Sequence, residues 1–358
     1  MKKAFFKNIL KIIIFFGTGI AILGYVYYKQ NIAYHEDCIQ KGIAGADCNL
    51  IGKVYSDFLN SNIFILFLVI LVFMLSNVSR AMRWQMMMKS IGMKTHFFTA
   101  FHSVVLGYFV NLGIPRAGEF ARAIAISKKE NLNFSKVMGT IILDRLLDVI
   151  SLGIVFVITI IVSSGKLIQF LKENNNISSK INNLISNPFV WIIIAVFFAV
   201  IVYIFTSKKF RTTRIGAKIY NFITELLEGL KSIKSIKNPG IFIFHSIFIW
   251  VMYFMMNYVG FMAFAPTAKL GFDAALTVFT FGSMGIVIPS PGGMGTYHFL
   301  VIEALKLYGV NGSDGFSFAN IIFFTVQIFG NILFGIIALI SLNMKPKDLE
   351  NELQKQNI

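Results

Sequence analysis

Two stretches of this chain set polar, helix-breaking residues inside apolar sequence, and they hold the best candidates for chemistry. One is Asn111–Glu119 (NLGIPRAGE) and the other is Ile286–Gly295 (IVIPSPGGMG). A broken helix leaves N–H groups unpaired where the next half begins and C=O groups unpaired where the previous half ends. In lipid these groups are costly, so a break must face protein or a wet cavity. The positive end of a half-helix favours an anion such as phosphate. In the first break Pro115 can start the second half, because its missing N–H costs nothing there, and Arg116 adds positive charge. Asn111 and Gly118 flank them. Glu119 is placed to pair with Arg116 or Arg122, to bind a cationic group, or to carry a proton. In the second break Pro289 and Pro291 stiffen the chain. Gly292, Gly293 and Gly295 permit close approach or positive φ, and their N–H groups are expected to form an anion nest. The run lacks the Gly-Lys-Ser/Thr ending of a nucleotide loop, which excludes ATP. Tyr297 and His298 follow, and Glu303 lies on the returning helix. The plainer role for His298 is an interfacial residue with a backbone partner.

The third candidate is Asp144-Arg145-Leu-Leu-Asp148, read as opening a span at 141–163. Asp144 and Asp148, four residues apart, share a helical face, and Arg145 lies about 100° away. Ionisable groups at a membrane segment usually face protein or water. These are expected to neutralise Arg116 or Arg122 or to relay protons, with a fixed ion pair at a helix end as the bland alternative. Arg80 and Arg83, beside Trp84, read as anchors of a cytoplasmic helix end. Asn77 is a lesser candidate, and Asn257 and Gln327 read as polar residues for interhelical hydrogen bonds. No nucleophile–base set and no metal-ligand spacing emerges, so no enzyme and no cofactor is expected.

The elements that must position these residues follow from composition. Charged residues make up 14% of the chain and apolar ones 56%, with a mean hydropathy of +0.70. A soluble domain is about a quarter charged, so this is an integral membrane protein. The net charge of +16 reads as the positive-inside bias, with some attraction to anionic lipid headgroups, rather than as nucleic-acid binding. Ile9–Tyr28 is too long for a signal-peptide core and reads as a retained first helix. Cys38 and Cys48 fall in the first polar loop. A disulfide is permitted there if the loop is extracytoplasmic, and two thiols are the alternative.

A full span needs roughly 20 apolar residues. Residues 9–28, 62–79, 141–163, 188–206, 240–264 and 318–341 qualify. The interrupted regions 97–127 and 273–308 have halves too short to cross easily. If each dips in and returns to the same side, 24 of the 33 basic residues fall in the cytoplasm, and the two regions enter from opposite faces, as in an inverted repeat. The expected fold is therefore an all-α polytopic membrane protein, with six full transmembrane helices plus two re-entrant helix pairs in an inverted-repeat arrangement. Both termini are expected to be cytoplasmic. The halves are 1–206 and 240–342, joined by an amphipathic interfacial helix at 211–237, with a short tail at 343–358.

At NLGIPRAGEFARA, LDRLLD and IPSPGGMGTYHF the chain resembles the transmembrane region of lysylphosphatidylglycerol synthases and the stand-alone proteins that share this flippase-like domain. The likeness covers about residues 5–342. In those synthases the membrane domain moves aminoacylated phosphatidylglycerol between leaflets, and a separate soluble domain makes that lipid. The chain stops about 17 residues after its last span, so the soluble domain, and lysyl transfer with it, is expected to be absent. The resemblance carries over to Pro115, Arg116, Gly118 and Glu119, to Asp144, Arg145 and Asp148, and to Pro291, Gly292, Gly293 and Gly295. Where the family often has Glu after the last Gly, this chain has Tyr297-His298. The resemblance implies a protein that moves or binds a phospholipid or polyprenyl-linked lipid across a bacterial inner membrane. Its expected partners are membrane lipids with phosphate-bearing headgroups, and a homo-oligomer or an envelope-biosynthesis subunit. The competing readings are a non-catalytic scaffold in envelope-lipid assembly and a small-molecule secondary transporter.

Overall fold

A computed structural model describes residues 2–42, 48–114, 117–173, 183, 186–189, 191–192, 196, 236–288 and 290–343; side chains at 2–15, 167 and 170–173 are not described. Pro115, Arg116, Pro289, nearly all of the expected span 188–206, nearly all of the linker helix 211–237, and the tail from 344 lie outside the described residues.

The described elements are all helical: α1 Lys2–Gln40, α2 Leu50–Leu59, α3 Ile63–Ser90, α4 Phe97–Gly113, α5 Gly118–Glu130, α6 Phe134–Glu173, α7 Pro239–Phe261, α8 Phe272–Val287, a 3₁₀ turn Pro291–Gly293, α9 Thr296–Lys306, α10 Gly312–Phe323, a π-helical stretch Phe324–Gly330, and α11 Asn331–Leu342. The caps are local and legible. Asn49, Asn62 and Asn311 each accept first-turn N–H groups at α2, α3 and α10, which such side chains do well. Asn131 and Asn343 close α5 and α11 in the left-handed conformation, and Pro239 occupies the first turn of α7.

Four described helices are long and apolar enough to cross a bilayer: Ile63–Ser90, Phe134–Lys166, Pro239–Phe261 and Gly312–Leu342; α4 and α8 are shorter apolar helices of 17 and 16 residues. The chain is an all-α polytopic membrane protein. Three expected boundaries are corrected. The first helix does not end near residue 28 but runs to Gln40, which puts Cys38 on it. The second expected span does not end at 79: α3 continues to Ser90 and carries Arg80 and Arg83 within it. Asp144 does not open a helix, because α6 starts ten residues earlier at Phe134.

Two antiparallel hairpins occupy the interrupted regions. In α4–α5, the His96 N–H just before α4 donates to Glu130 at the end of α5, 3.3 Å away. Gly107 and Gly118 bring the two backbones together: a Cβ on Gly118 would lie 2.0 Å from the Gly107 carbonyl oxygen. In α8–α9, Thr277 near the start of α8 lies 2.8 Å from the Tyr308 hydroxyl beyond α9, and a Cβ on Gly285 would lie 2.7 Å from Tyr297 Cα. Both halves share the order long helix, hairpin, long helix. The leading long helices, α3 and α7, pack antiparallel. Asn62 N–H donates to Ala263 C=O at 2.9 Å, and Ser79 Oγ lies 2.8 Å from His245 Nδ1. The hairpin of each half packs on the last long helix of the other. α4 meets α11, where His102 lies 3.0 Å from Ser341. α8 meets α6 through Thr159–Thr280 at 2.7 Å and Ser163–Thr277 at 2.8 Å.

Candidate functional site

α3 and α6 meet through charge. Arg80 and Arg83, one turn apart, face Asp144 and Asp148, also one turn apart. Arg80 Nη1 donates to Asp144 Oδ2 at 3.0 Å and Asp148 Oδ2 at 2.8 Å; Arg83 Nη2 donates to Asp144 Oδ1 at 2.5 Å and Asp148 Oδ1 at 2.9 Å. From α5, Arg122 Nη1 donates to Asp144 Oδ2 at 3.0 Å. Its guanidinium lies 3.7 Å above the buried Trp84 ring, and that indole donates to Thr140 at 2.9 Å. A desolvated cation–π contact of this kind contributes about 2 kcal/mol. Arg145, on another face of α6, lies 3.0 Å from Glu119 and 3.6 Å from Asp148. Arg80 Nη2 also donates to the Tyr253 hydroxyl at 3.1 Å, which lies 3.2 Å from the hydroxyl of Tyr108.

Among the described residues four guanidiniums thus face three carboxylates, with one positive charge in excess. Asp144 is wholly buried, as is Arg83. Withdrawing such ions from water costs several kcal/mol each and is offset only where pairing is dense. Pairing here is dense on the carboxylate side and incomplete on the guanidinium side. Arg80 Nε, Arg83 Nε and Nη1, and Arg122 Nε and Nη2 are buried with no hydrogen-bond partner among the described residues. Surplus cation and surplus donors together favour an anion.

A cavity of about 320 Å³ adjoins the cluster. Arg80, Arg145, Asp148, Tyr108 and Tyr253 form its charged end, and Leu152, Phe279 and Val326 are among its apolar walls. Val149 and Val287 line it too, yet they are 66% and 65% exposed. The cavity therefore reaches the outer, lipid-facing surface between α6 and α8. Beyond that point the Thr159–Thr280 and Ser163–Thr277 pairs hold the two helices together.

The expected site residues divide into those that join this cluster and those that build the turns. Glu119, Arg122, Asp144, Arg145 and Asp148 are brought together; Arg116, the other expected partner of the aspartates, lies outside the described residues with Pro115. Asn111 accepts the Gly118 N–H at 2.8 Å and so closes the first hairpin. In the second break Gly292, Gly293 and Gly295 have φ of 57°, 84° and 84°, the left-handed region that favours glycine. Gly293 N–H donates to Ser290 C=O at 3.1 Å, Met294 N–H to Pro291 C=O at 2.8 Å, and Gly295 N–H to His298 Nδ1 at 3.4 Å. These three donors are engaged within the turn itself. Pro291 and Gly295 pack on α1 at Gly19, where a Cβ would lie 2.8 Å from the Pro291 ring. A Cβ on Gly292 would lie 3.4 Å from Leu112, so the two breaks meet. His298 is buried with its ring 4.8 Å from that of Phe323. Glu303 pairs with Lys306 at 2.8 Å and does not line the cavity. Cys38 and Cys48 are buried thiols.

Sequence reasoning misplaced Arg80 and Arg83, and it gave Tyr108, Trp250 and Tyr253 no role. An arginine pair ending an apolar run looks the same whether it snorkels to an interface or turns inward. The available signal was the matching spacing of two arginines and two aspartates.

The fold and the cavity define a polytopic membrane protein with a buried, net-cationic site open toward lipid. The family described as "Lysylphosphatidylglycerol synthase TM region" matches residues 50–335, and the chain belongs to it. What matches is the membrane region of those synthases, not an enzyme domain. No group of three or more His, Cys, Asp or Glu with metal-site geometry occurs among the described residues. Similar proteins include UPF0104 membrane protein MJ1595 of Methanocaldococcus jannaschii, 24% identical over 72% of this chain and 79% of that protein. MJ1078 of the same organism is 24% identical over 64% of this chain and 94% of that protein. PH1989 of Pyrococcus horikoshii is 34% identical over 26% of this chain, and the match spans only 29% of PH1989. No solved structure matches.

Proposed function

We propose that this protein binds a phosphate-bearing phospholipid or polyprenyl-linked lipid and carries its headgroup between the leaflets of a cytoplasmic membrane. The observation that carries this reading is the cavity that joins Arg80 and Arg145 to the exposed rim residues Val149 and Val287. A headgroup needs a polar path while its tails stay in lipid, and a cavity open sideways between α6 and α8 suits that need. Phosphate matches a guanidinium fork, and the excess positive charge suits an anion. The family points the same way.

The transport arrangement within this proposal has six full spans and two re-entrant pairs related as an inverted repeat, with both termini cytoplasmic. Hairpin arms of 17 and 16 residues reach about 25 Å, short of a hydrocarbon core of about 30 Å. The antiparallel α3–α7 pair and the reciprocal docking of each hairpin on the other half's last helix suit a pseudo-twofold axis in the membrane plane. The bias of Lys and Arg supports the orientation. The relatives named above are archaeal, so the proposal is framed for a cytoplasmic membrane of either kind of cell.

The test is headgroup transfer in proteoliposomes with Arg145→Gln. Arg145 reaches the cavity but is less enclosed than Arg80, so its loss spares the buried core. Loss of a charged hydrogen-bonding partner predicts a fall of about tenfold or more. Transfer at the wild-type rate, at equal protein level, would refute this assignment.

A further inference from the structure

The end of the cavity away from the arginines has its own chemistry. α7 runs antiparallel to α3, so passing from Tyr253 to Asn257 moves one turn farther from Arg80. There Asn257, Gln327 and Asn331 line the same cavity; Trp250 lines it from the other side of Tyr253, two turns of α7 from Asn257. Asn257 Nδ2 donates to Tyr253 C=O at 3.2 Å; Asn331 Nδ2 donates to Gln327 C=O at 3.2 Å and to Gln327 Oε1 at 3.1 Å. Those bonds fix which way each amide points. The oxygens are what remain, and Asn257 Oδ1 and Asn331 Oδ1 are buried with no partner among the described residues, as is the indole N–H of Trp250. A π-helical stretch carries Gln327, and such irregular turns recur at functional sites. Buried polar atoms without partners are rare in native proteins and call for an explanation.

We infer that the amides of Asn257 and Asn331 bind the hydroxyls of a neutral headgroup, so that this cavity selects a phosphate lipid with a hydroxyl-bearing head over one with a cationic head. The inference rests on the proposed phosphate-lipid function and names the substrate class of the same site. Two unpaired acceptors ask for donors, and hydroxyl and ammonium groups both supply them. Charge separates the two. Among the described residues the only carboxylate lining the cavity is Asp148, which already holds Arg80 and Arg83. A cationic head would meet neutral amides and a net positive cluster, with nothing to offset its desolvation. A glycerol or sugar hydroxyl meets its acceptors at no electrostatic cost.

The test uses the purified full chain and native mass spectrometry against three lipids of identical acyl composition: phosphatidylglycerol, phosphatidylethanolamine and phosphatidic acid. Wild type should retain phosphatidylglycerol about tenfold better than phosphatidylethanolamine, the worth of roughly one or two hydrogen bonds. Asn257→Leu should bring phosphatidylglycerol down to the level of phosphatidic acid. Asn257→Asp, which keeps the shape and adds a negative charge, should shift retention toward phosphatidylethanolamine, and it tests the idea even if the leucine variant does not fold. Equal retention of the glycerol and ethanolamine lipids by wild type, or a preference for the latter, would overturn the inference and leave phosphate-lipid binding standing. Failure to retain any of the three above the level of Arg145→Gln would instead overturn the underlying function.

Discussion

Asp144 is the carboxylate on which the interior depends, and replacing it with Asn is the sharpest test of the structure. The amide matches the carboxylate in shape, so packing is kept while a charge is removed. Three guanidiniums bond to this one side chain, at 2.5, 3.0 and 3.0 Å, and it has no exposed surface. After substitution three buried guanidiniums and the half-exposed Arg145 face two carboxylates, and Arg122 loses the carboxylate it bonds. Removing one partner of a buried ion pair costs about 3–5 kcal/mol, a large part of a typical stability of about 5–15 kcal/mol. At roughly 2–4 °C per kcal/mol for a large domain, the melting temperature should fall by about 6–12 °C at the least. The protein carries its own reporter. Cys38 and Cys48 are 1% and 2% exposed, so a thiol-reactive dye in detergent signals unfolding. Charge balance gives a second expectation. Arg122→Gln removes the excess cation and should cost less than Asp144→Asn, and combining the two should recover part of the loss, a coupling expected of direct partners. A melting temperature for Asp144→Asn within about 2 °C of wild type would show that the cluster is not assembled as described.

The first hairpin tolerates no side chain at its crossing. Gly118→Ala would put a Cβ 2.0 Å from the Gly107 carbonyl oxygen and 2.6 Å from the Asn111 amide; overpacking costs about 1–3 kcal/mol, and a backbone obstacle places this at the upper end, readable as lost thermal stability and lost headgroup transfer together. The hairpin's open end should respond to acid. Burial pushes the Glu130 carboxyl up, but hydrogen bonds from Thr99 and His96 together outweigh it and hold the group below its ordinary value. A lowered folded value means that its contribution to stability is present above the unfolded value, near 4.5, and is lost as pH falls through the folded one. Thermal stability between pH 5 and pH 3 should therefore drop more in wild type than in Glu130→Gln, and equal drops would disprove the linkage.

The turns were written locally. Pro115 and the Pro291–Gly295 run announce helix breaks because proline and glycine act on their own backbone, whatever surrounds them. The pairing of Arg122 with Asp144 was also within reach, since both are ionisable groups at membrane segments with few partners to choose from. Arg80 and Arg83 were not, because their partners lie 61 to 68 residues away and local sequence does not say whether an arginine turns to the interface or to the interior. The amide donors of Gly293 to Gly295 were not legible either, because the carbonyls of the turn and His298 that accept from them are set by how the turn folds.

By itself the sequence determined that this is a membrane protein of apolar helices with two Pro/Gly breaks, since hydropathy, basic-residue placement and backbone restriction are properties of short segments. Only the tertiary structure decided that each hairpin docks on the far half, and that α3 turns two arginines inward to leave, among the described residues, one uncompensated positive charge beside the cavity. Those outcomes depend on which distant surfaces meet, and that is settled by packing and by the cost of burying an unpaired charge.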